Sequence, residues 1–86
     1  MRKIIFITGA TSGIGKATAH LFAKNGYDVI ITGRRKERLL ELSKKLKSTH
    51  KVDILTLCFD VKNKEEVKIA VASLPNNWKK IDVLLN

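Results

Sequence analysis

Scarcity organises this sequence before any motif does. It contains one cysteine, so no internal disulfide framework can form, and a lone thiol without clustered histidines has no metal-ligand spacing. A reducing, cytoplasmic setting without a metal site is expected, with Cys58 reading as a small buried hydrophobe. Acids are few: 8 Asp and Glu stand against 17 Lys and Arg, for a net charge of +9. That imbalance raises a basic polyanion-binding module as one reading. Against it, the cations are spread through helices and loops, and one Trp, one Tyr and three Phe leave little for base stacking. Long apolar runs are missing as well. Nothing approaches the roughly 18 consecutive apolar residues of a membrane span, and the run Ile4 to Ile7 is too short for a signal-peptide core. No membrane and no nucleic-acid partner is expected.

What is present is regular. Hydrophobic residues make up 44% of the chain, as in a soluble globular domain. Four apolar runs of strand length recur, at Lys3 to Ile7, Asp28 to Thr32, Ile54 to Phe59 and Ile81 to Leu85. They do not alternate with polar residues, which suits strands buried on both faces of a parallel sheet. Between them, Ile14, Ala17, Leu21 and Phe22 mark a helical stripe closed by Asn25-Gly26, and Leu39, Leu42 and Leu46 mark a second. A third stripe is Val67, Ala70, Val71 and Leu74, opened by Asn63 and Glu66 in a capping-box arrangement and closed by Pro75. The pattern βαβαβαβ predicts a Rossmann-type, doubly wound α/β fold with a parallel sheet in strand order 3-2-1-4. The first two helices then cover one sheet face and the third alone covers the other, leaving an apolar face largely bare.

Directly after the first strand comes Thr8-Gly9-Ala10-Thr11-Ser12-Gly13-Ile14-Gly15, which runs into the first helix. A dinucleotide pyrophosphate needs a tight turn, a backbone without a Cβ in its way, and free N–H groups at the positive end of a helix. Gly9, Gly13 and Gly15 meet those needs, and Thr11 and Ser12 add hydroxyl donors. No Gly-Lys-Ser/Thr follows, which excludes a phosphate-binding loop of the NTPase kind. At the end of the second strand an NAD-binding chain carries an acid for the ribose hydroxyls; here stand Gly33, Arg34 and Arg35. Guanidinium groups suit a ribose 2′-phosphate, so NADP(H) is the expected cofactor, held by Arg34 and Arg35, while Arg38 decorates the helix. His20, His50, Trp78 and Tyr27 read as bystanders or packing residues.

Thr-Gly-x-x-x-Gly-Ile-Gly resembles the signature of short-chain dehydrogenases/reductases of the compact branch, and Ser12 stands where the extended, epimerase-containing branch has glycine. Along the rest of the chain, Gly33-Arg34-Arg35, Glu37-Arg38-Leu39, Ser73-Leu74-Pro75, Trp78 and Ile81 to Asn86 resemble NADP-dependent 3-hydroxy acid (serine-type) dehydrogenases. The resemblance implies that Ile14 belongs to the glycine motif, that Asp60-Val61 meets the adenine edge, and that Asn86 opens an Asn-Asn-Ala-Gly motif. It further implies an oxidoreductase that interconverts a small-molecule alcohol and a carbonyl, usually a homo-oligomer when complete. The family's catalytic Ser and Tyr-x-x-x-Lys have no counterpart, since Ile31 follows Tyr27 at the lysine spacing. Residues 1–86 therefore read as the N-terminal part of one dinucleotide-binding domain of a truncated chain with no catalytic residue of its own. A non-catalytic NADP-sensing module is the alternative on the same fold.

Overall fold

Strand and helix alternate in the computed structural model, which describes residues 2–60 and 62–85. The elements are β1 (Ile4–Ile7), α1 (Gly13–Lys24), β2 (Asp28–Gly33), α2 (Lys36–Thr49), β3 (Ile54–Cys58), α3 (Lys64–Ala72), a short 3₁₀ turn (Asn76–Trp78) and β4 (Val83–Leu85). The sheet order is β3-β2-β1-β4, and every pairing is parallel, with Ile5 opposite both Val29 and Val83. The expected fold class and strand order are both found. No helix among the described residues is long and apolar enough to cross a membrane.

Strand side chains alternate between faces, so the continuous apolar runs feed two separate cores. Ile5, Ile7, Val29, Ile31 and Ile54 meet Ala19 and Ala23 of α1 and Leu39, Leu42 and Leu46 of α2. On the opposite face Ile4, Phe6 and Ile30 meet Leu74 and Trp78. The α2 stripe is the one the spacing predicts. Tyr27 packs edge-to-face on Phe22 with ring centroids 4.9 Å apart.

The α1 stripe differs from expectation. Ile14 is 83% exposed and Leu21 56% exposed, while the face turned to the sheet is Gly15, Ala19 and Ala23. Small residues win here because they let the helix backbone approach the sheet closely, and of the larger side chains only Phe22 leans onto the core. α3 differs too: none of its residues is fully buried, and the second face is covered instead by Leu74 and Trp78, beyond the helix end. The capping box is only half made. Asn63 Oδ1 accepts from the amides of Glu65 and Glu66, but Glu66 Oε2 accepts from the Asp60 amide at 3.0 Å. The Asn63 amide is already donated to the Asp60 carbonyl, so the box has no donor left to close on. Cys58 is exposed rather than buried, because it ends the edge strand β3; its thiol lies 3.5 Å from the Arg34 carbonyl, which it faces as a donor.

The amino ends of the strands are pinned by polar contacts. Arg2 reaches Asp28 at 2.7 Å and Asp53 at 3.3 Å, and the bond and charge of Asp28 raise its guanidinium pKa above the ordinary value. Asp82 accepts the Ile4 amide at 2.9 Å.

Candidate functional site

The opposite, carboxyl ends of the strands carry the glycine-rich turn. Gly9 takes φ +64°, a left-handed conformation that costs any side-chain-bearing residue. This fold-back brings the Ser12 amide to the Gly9 carbonyl at 3.1 Å, and the Ala10 amide donates to Thr32 at 3.1 Å, fastening the turn to β2. Ser12 is the N-cap of α1; its hydroxyl accepts from the Gly15 amide at 3.1 Å and donates to the Gly9 carbonyl at 2.8 Å. The hydroxyl expected to serve a phosphate is thus engaged within the turn. Gly15 is buried for another reason: a Cβ there would lie 2.8 Å from the Ala10 Cα.

Gly13 is different. A Cβ on it would meet nothing within 4 Å, and among the described residues neither its amide nor that of Ile14 has a partner. The positive end of a helix of 12 residues thus keeps two unpartnered N–H groups beside a position open enough for a Cβ, which is the requirement for holding an anion.

Ser12, the N-cap of α1, lines a cleft of about 320 Å³ together with Gly9, Thr11, Gly33, Arg34, Arg38, Phe59, Asp60 and Lys62. Three side-chain cations rim it, and among the described residues none of the three has a carboxylate within ion-pair distance. Asp60 is turned inward on its own loop, where Oδ1 accepts the Lys62 amide at 2.9 Å. Among the described residues no cluster of three or more His, Cys, Asp or Glu could hold a metal. A cleft that has the N-cap of α1 on its wall and three cations without a carboxylate partner suits a multiply charged phosphate ligand.

The sequence matches the family model for short chain dehydrogenases over residues 3–86. The chain belongs to the short-chain dehydrogenase family. Among its relatives in that family, the serine 3-dehydrogenase of Rhizobium radiobacter is 49% identical over 87 aligned positions, covering 100% of this chain and 33% of that protein. The NADP-dependent 3-hydroxy acid dehydrogenase YdfG of Salmonella typhi is 45% identical across 96% of this chain and 32% of that one. L-Sorbose reductase from Gluconobacter frateurii, solved in complex with NADPH and L-sorbose, superposes with a TM-score of 0.91 at 36% identity, covering 99% of this chain and 32% of that one. The short-chain dehydrogenase chain described here spans about a third of the length of these relatives.

Of the residues singled out from sequence, Gly9, Thr11, Ser12, Arg34 and Asp60 come together in this short-chain dehydrogenase cleft. Gly15 sits behind it as packing, and Ile14 projects from the helix start. Val61 and Asn86 lie outside the described residues. Arg35 does not line the cleft: it is the exposed N-cap of α2. Arg38, read from sequence as surface decoration, does line it, as do Phe59 and Lys62. The signal for Arg38 was its place in the first turn of a helix that starts at Lys36, because side chains there lean back toward the helix N-terminus and so toward the strand ends.

Proposed function

We propose that this chain is the NADP(H)-binding, N-terminal part of a cytoplasmic short-chain oxidoreductase that interconverts a small-molecule alcohol and a carbonyl by hydride transfer. The observation that carries the reading is one cleft that the α1 N-cap Ser12 shares with Arg34, Arg38 and Lys62, with Gly33 where an acid would otherwise serve the ribose. In this reading the amides of Gly13 and Ile14 hold the pyrophosphate, Arg34 meets the ribose 2′-phosphate, and Asp60 faces the adenine end. Bound nicotinamide would supply or accept the hydride. Val61 and Asn86 complete the cofactor contacts, Arg35 adds long-range attraction, and the natural assembly is a homo-oligomer. Tyr27, packed on Phe22 beside the amino end of β2, is remote from this chemistry. The relatives named NADP-dependent or solved with NADPH support the cofactor, and the 3-hydroxy acid and serine dehydrogenases suggest a 3-hydroxy acid as the substrate class.

The test is differential cofactor affinity in the full-length protein. A charge-assisted contact contributes about 1.5–3 kcal/mol, so Arg34→Ala is expected to weaken NADP(H) roughly ten- to hundredfold and to leave NAD(H) nearly unchanged. Equal losses for both cofactors would assign Arg34 to the shared adenosine or to the fold. Wild-type preference for NAD(H) would overturn the reading.

A further inference from the structure

Beside the nucleotide cleft, and sharing only Arg38 with it, α1 and α2 form a second groove of about 200 Å³. Its lining is Lys16, His20, Arg38, Glu41, Leu42 and Lys45. Helix spacing builds both walls. Lys16 and His20 stand one turn apart on α1, and Arg38, Glu41, Leu42 and Lys45 follow the i, i+3, i+4, i+7 spacing that places them on one face of α2. Leu42 is buried and the charged side chains are exposed, so an apolar residue backs a rim of ions. Glu41 has Arg38 three residues before it and Lys45 four after, a spacing at which ion pairs form on a helix. Among the described residues, however, the ion pairs are those of Arg2 alone. Three cations against one carboxylate leave two positive charges in excess, and neither α2 cation is tied to the acid between them.

We propose that this α1–α2 groove is a second anion site, which binds a free inorganic oligophosphate of the tripolyphosphate class through Lys16, Arg38, Lys45 and His20. Length selects the ligand. Arg38 and Lys45 are two turns apart, about 10 Å along the α2 axis, a span suited to a chain of phosphates rather than to one. His20 Nδ1 shares a hydrogen bond with His50 Nε2 at 3.4 Å, which leaves His20 one ring nitrogen, Nε2, for a ligand in the groove it lines. When His50 donates in that bond, the proton of a neutral His20 sits on Nε2, where it can be given to a phosphate oxygen. No Phe, Tyr or Trp lines the groove, so a nucleobase carried on the phosphate chain would have nothing to stack on. The free chain is therefore the better fit. Glu41 opposes it and sets a limit on its affinity.

The experiment titrates full-length protein with sodium tripolyphosphate at low ionic strength, where screening is weak. Binding is followed through the NMR signals of the His20 ring, which lines this groove and not the nucleotide cleft. One saturable transition of those signals is expected. Lys16→Gln and Lys45→Gln each move its midpoint to about threefold higher concentration, and together about tenfold. Glu41→Gln moves it about threefold lower, a gain that a damaged fold cannot produce. Arg34→Ala in the nucleotide cleft, and Lys24→Gln at an exposed cation outside the groove, leave it in place. Orthophosphate binds more weakly than tripolyphosphate, and ATP no more tightly. Signals of His20 that fail to saturate would overturn the proposal. A midpoint that moves as far with Lys24→Gln as with Lys45→Gln would reduce the effect to diffuse net charge, and one that follows Arg34 instead of the lysines would place the anion in the nucleotide cleft. Either result refutes the groove, as does orthophosphate binding as tightly as the chain or ATP binding more tightly.

Discussion

Gly13 and Gly15 share one turn, yet the space around them separates their roles. A methyl on Gly15 has to displace the backbone of Ala10, and overpacking of that kind costs about 1–3 kcal/mol; denaturant titration of Gly15→Ala is expected to show it. A methyl on Gly13 meets only open space, so Gly13→Ala is expected to leave the denaturation midpoint nearly unmoved, within about 0.5 kcal/mol. NADP(H) affinity should fall in the same variant, because the methyl enters the volume assigned to the pyrophosphate. Isothermal titration on protein of proven stability separates the two outcomes, and an unchanged affinity would place the phosphates elsewhere on the turn. The arginines divide in the same way. Arg38→Ala is expected to weaken NADP(H) several-fold through loss of charge at the cleft, and Arg35→Ala to weaken it less. Residue type and sequence position made Arg34 legible. They did not rank Arg35 against Arg38, because that order depends on the direction α2 takes from β2.

At the scale of elements, α1 illustrates why periodicity read from large side chains misplaced a face. Ile14 and Leu21 carry most of the hydrophobic signal, but the surface that meets the sheet is Gly15, Ala19 and Ala23. In helix-on-sheet packing the contact is set by how closely the backbones approach, and the smallest side chains permit the closest approach. Ala19→Leu is therefore expected to cost about 1–3 kcal/mol by overpacking, whereas Leu21→Ala, at an exposed position, should stay within about 0.5 kcal/mol. Thermal melts of the two variants measured together would reveal a reversed order if the predicted stripe were the buried one. α2 was legible because there the leucines themselves are the contact: Leu39, Leu42 and Leu46 are all buried. For α3 the start was legible and the anchor was not. Asn63→Ala is expected to cost about 1 kcal/mol through loss of its two amide contacts, and Glu66→Ala less, since its carboxylate serves the preceding loop.

Across the whole molecule, topology was the most legible level. Continuous β-branched runs separated by helical stripes leave few alternatives to a right-handed, parallel winding, and the order β3-β2-β1-β4 followed. The thin cover of the second face was legible in the helix count, whereas the residues that supply it were not. Leu74 and Trp78 close it over Ile4, Phe6 and Ile30, while Ile69 and Leu84 are each 65% exposed. A polypeptide of these 86 residues alone is accordingly expected to bind an apolar fluorescent dye and to self-associate; a dye-silent monomer would contradict the bare-face account. Trp78→Ala, at about 3–5 kcal/mol for a buried tryptophan, should abolish cooperative unfolding in so lightly covered a sheet.

The position of β1 between β2 and β4 has a consequence for the order of events during synthesis. A chain leaving the ribosome exposes β1, β2 and β3 with their helices first, and these pair through contacts of 24 to 25 residues' separation, as between Ile4 and Asp28 or Val29 and Ile54. β4 must then find the remaining edge of β1, where Asp82 meets the Ile4 amide across 78 residues of sequence. Loop closure makes that pairing the slow one, so the nascent protein carries an open, apolar strand edge until β4 emerges. Pulse proteolysis of stalled nascent chains should find β1 to β3 protected before β4 has cleared the tunnel, with the β1 edge a point of chaperone engagement in the interval.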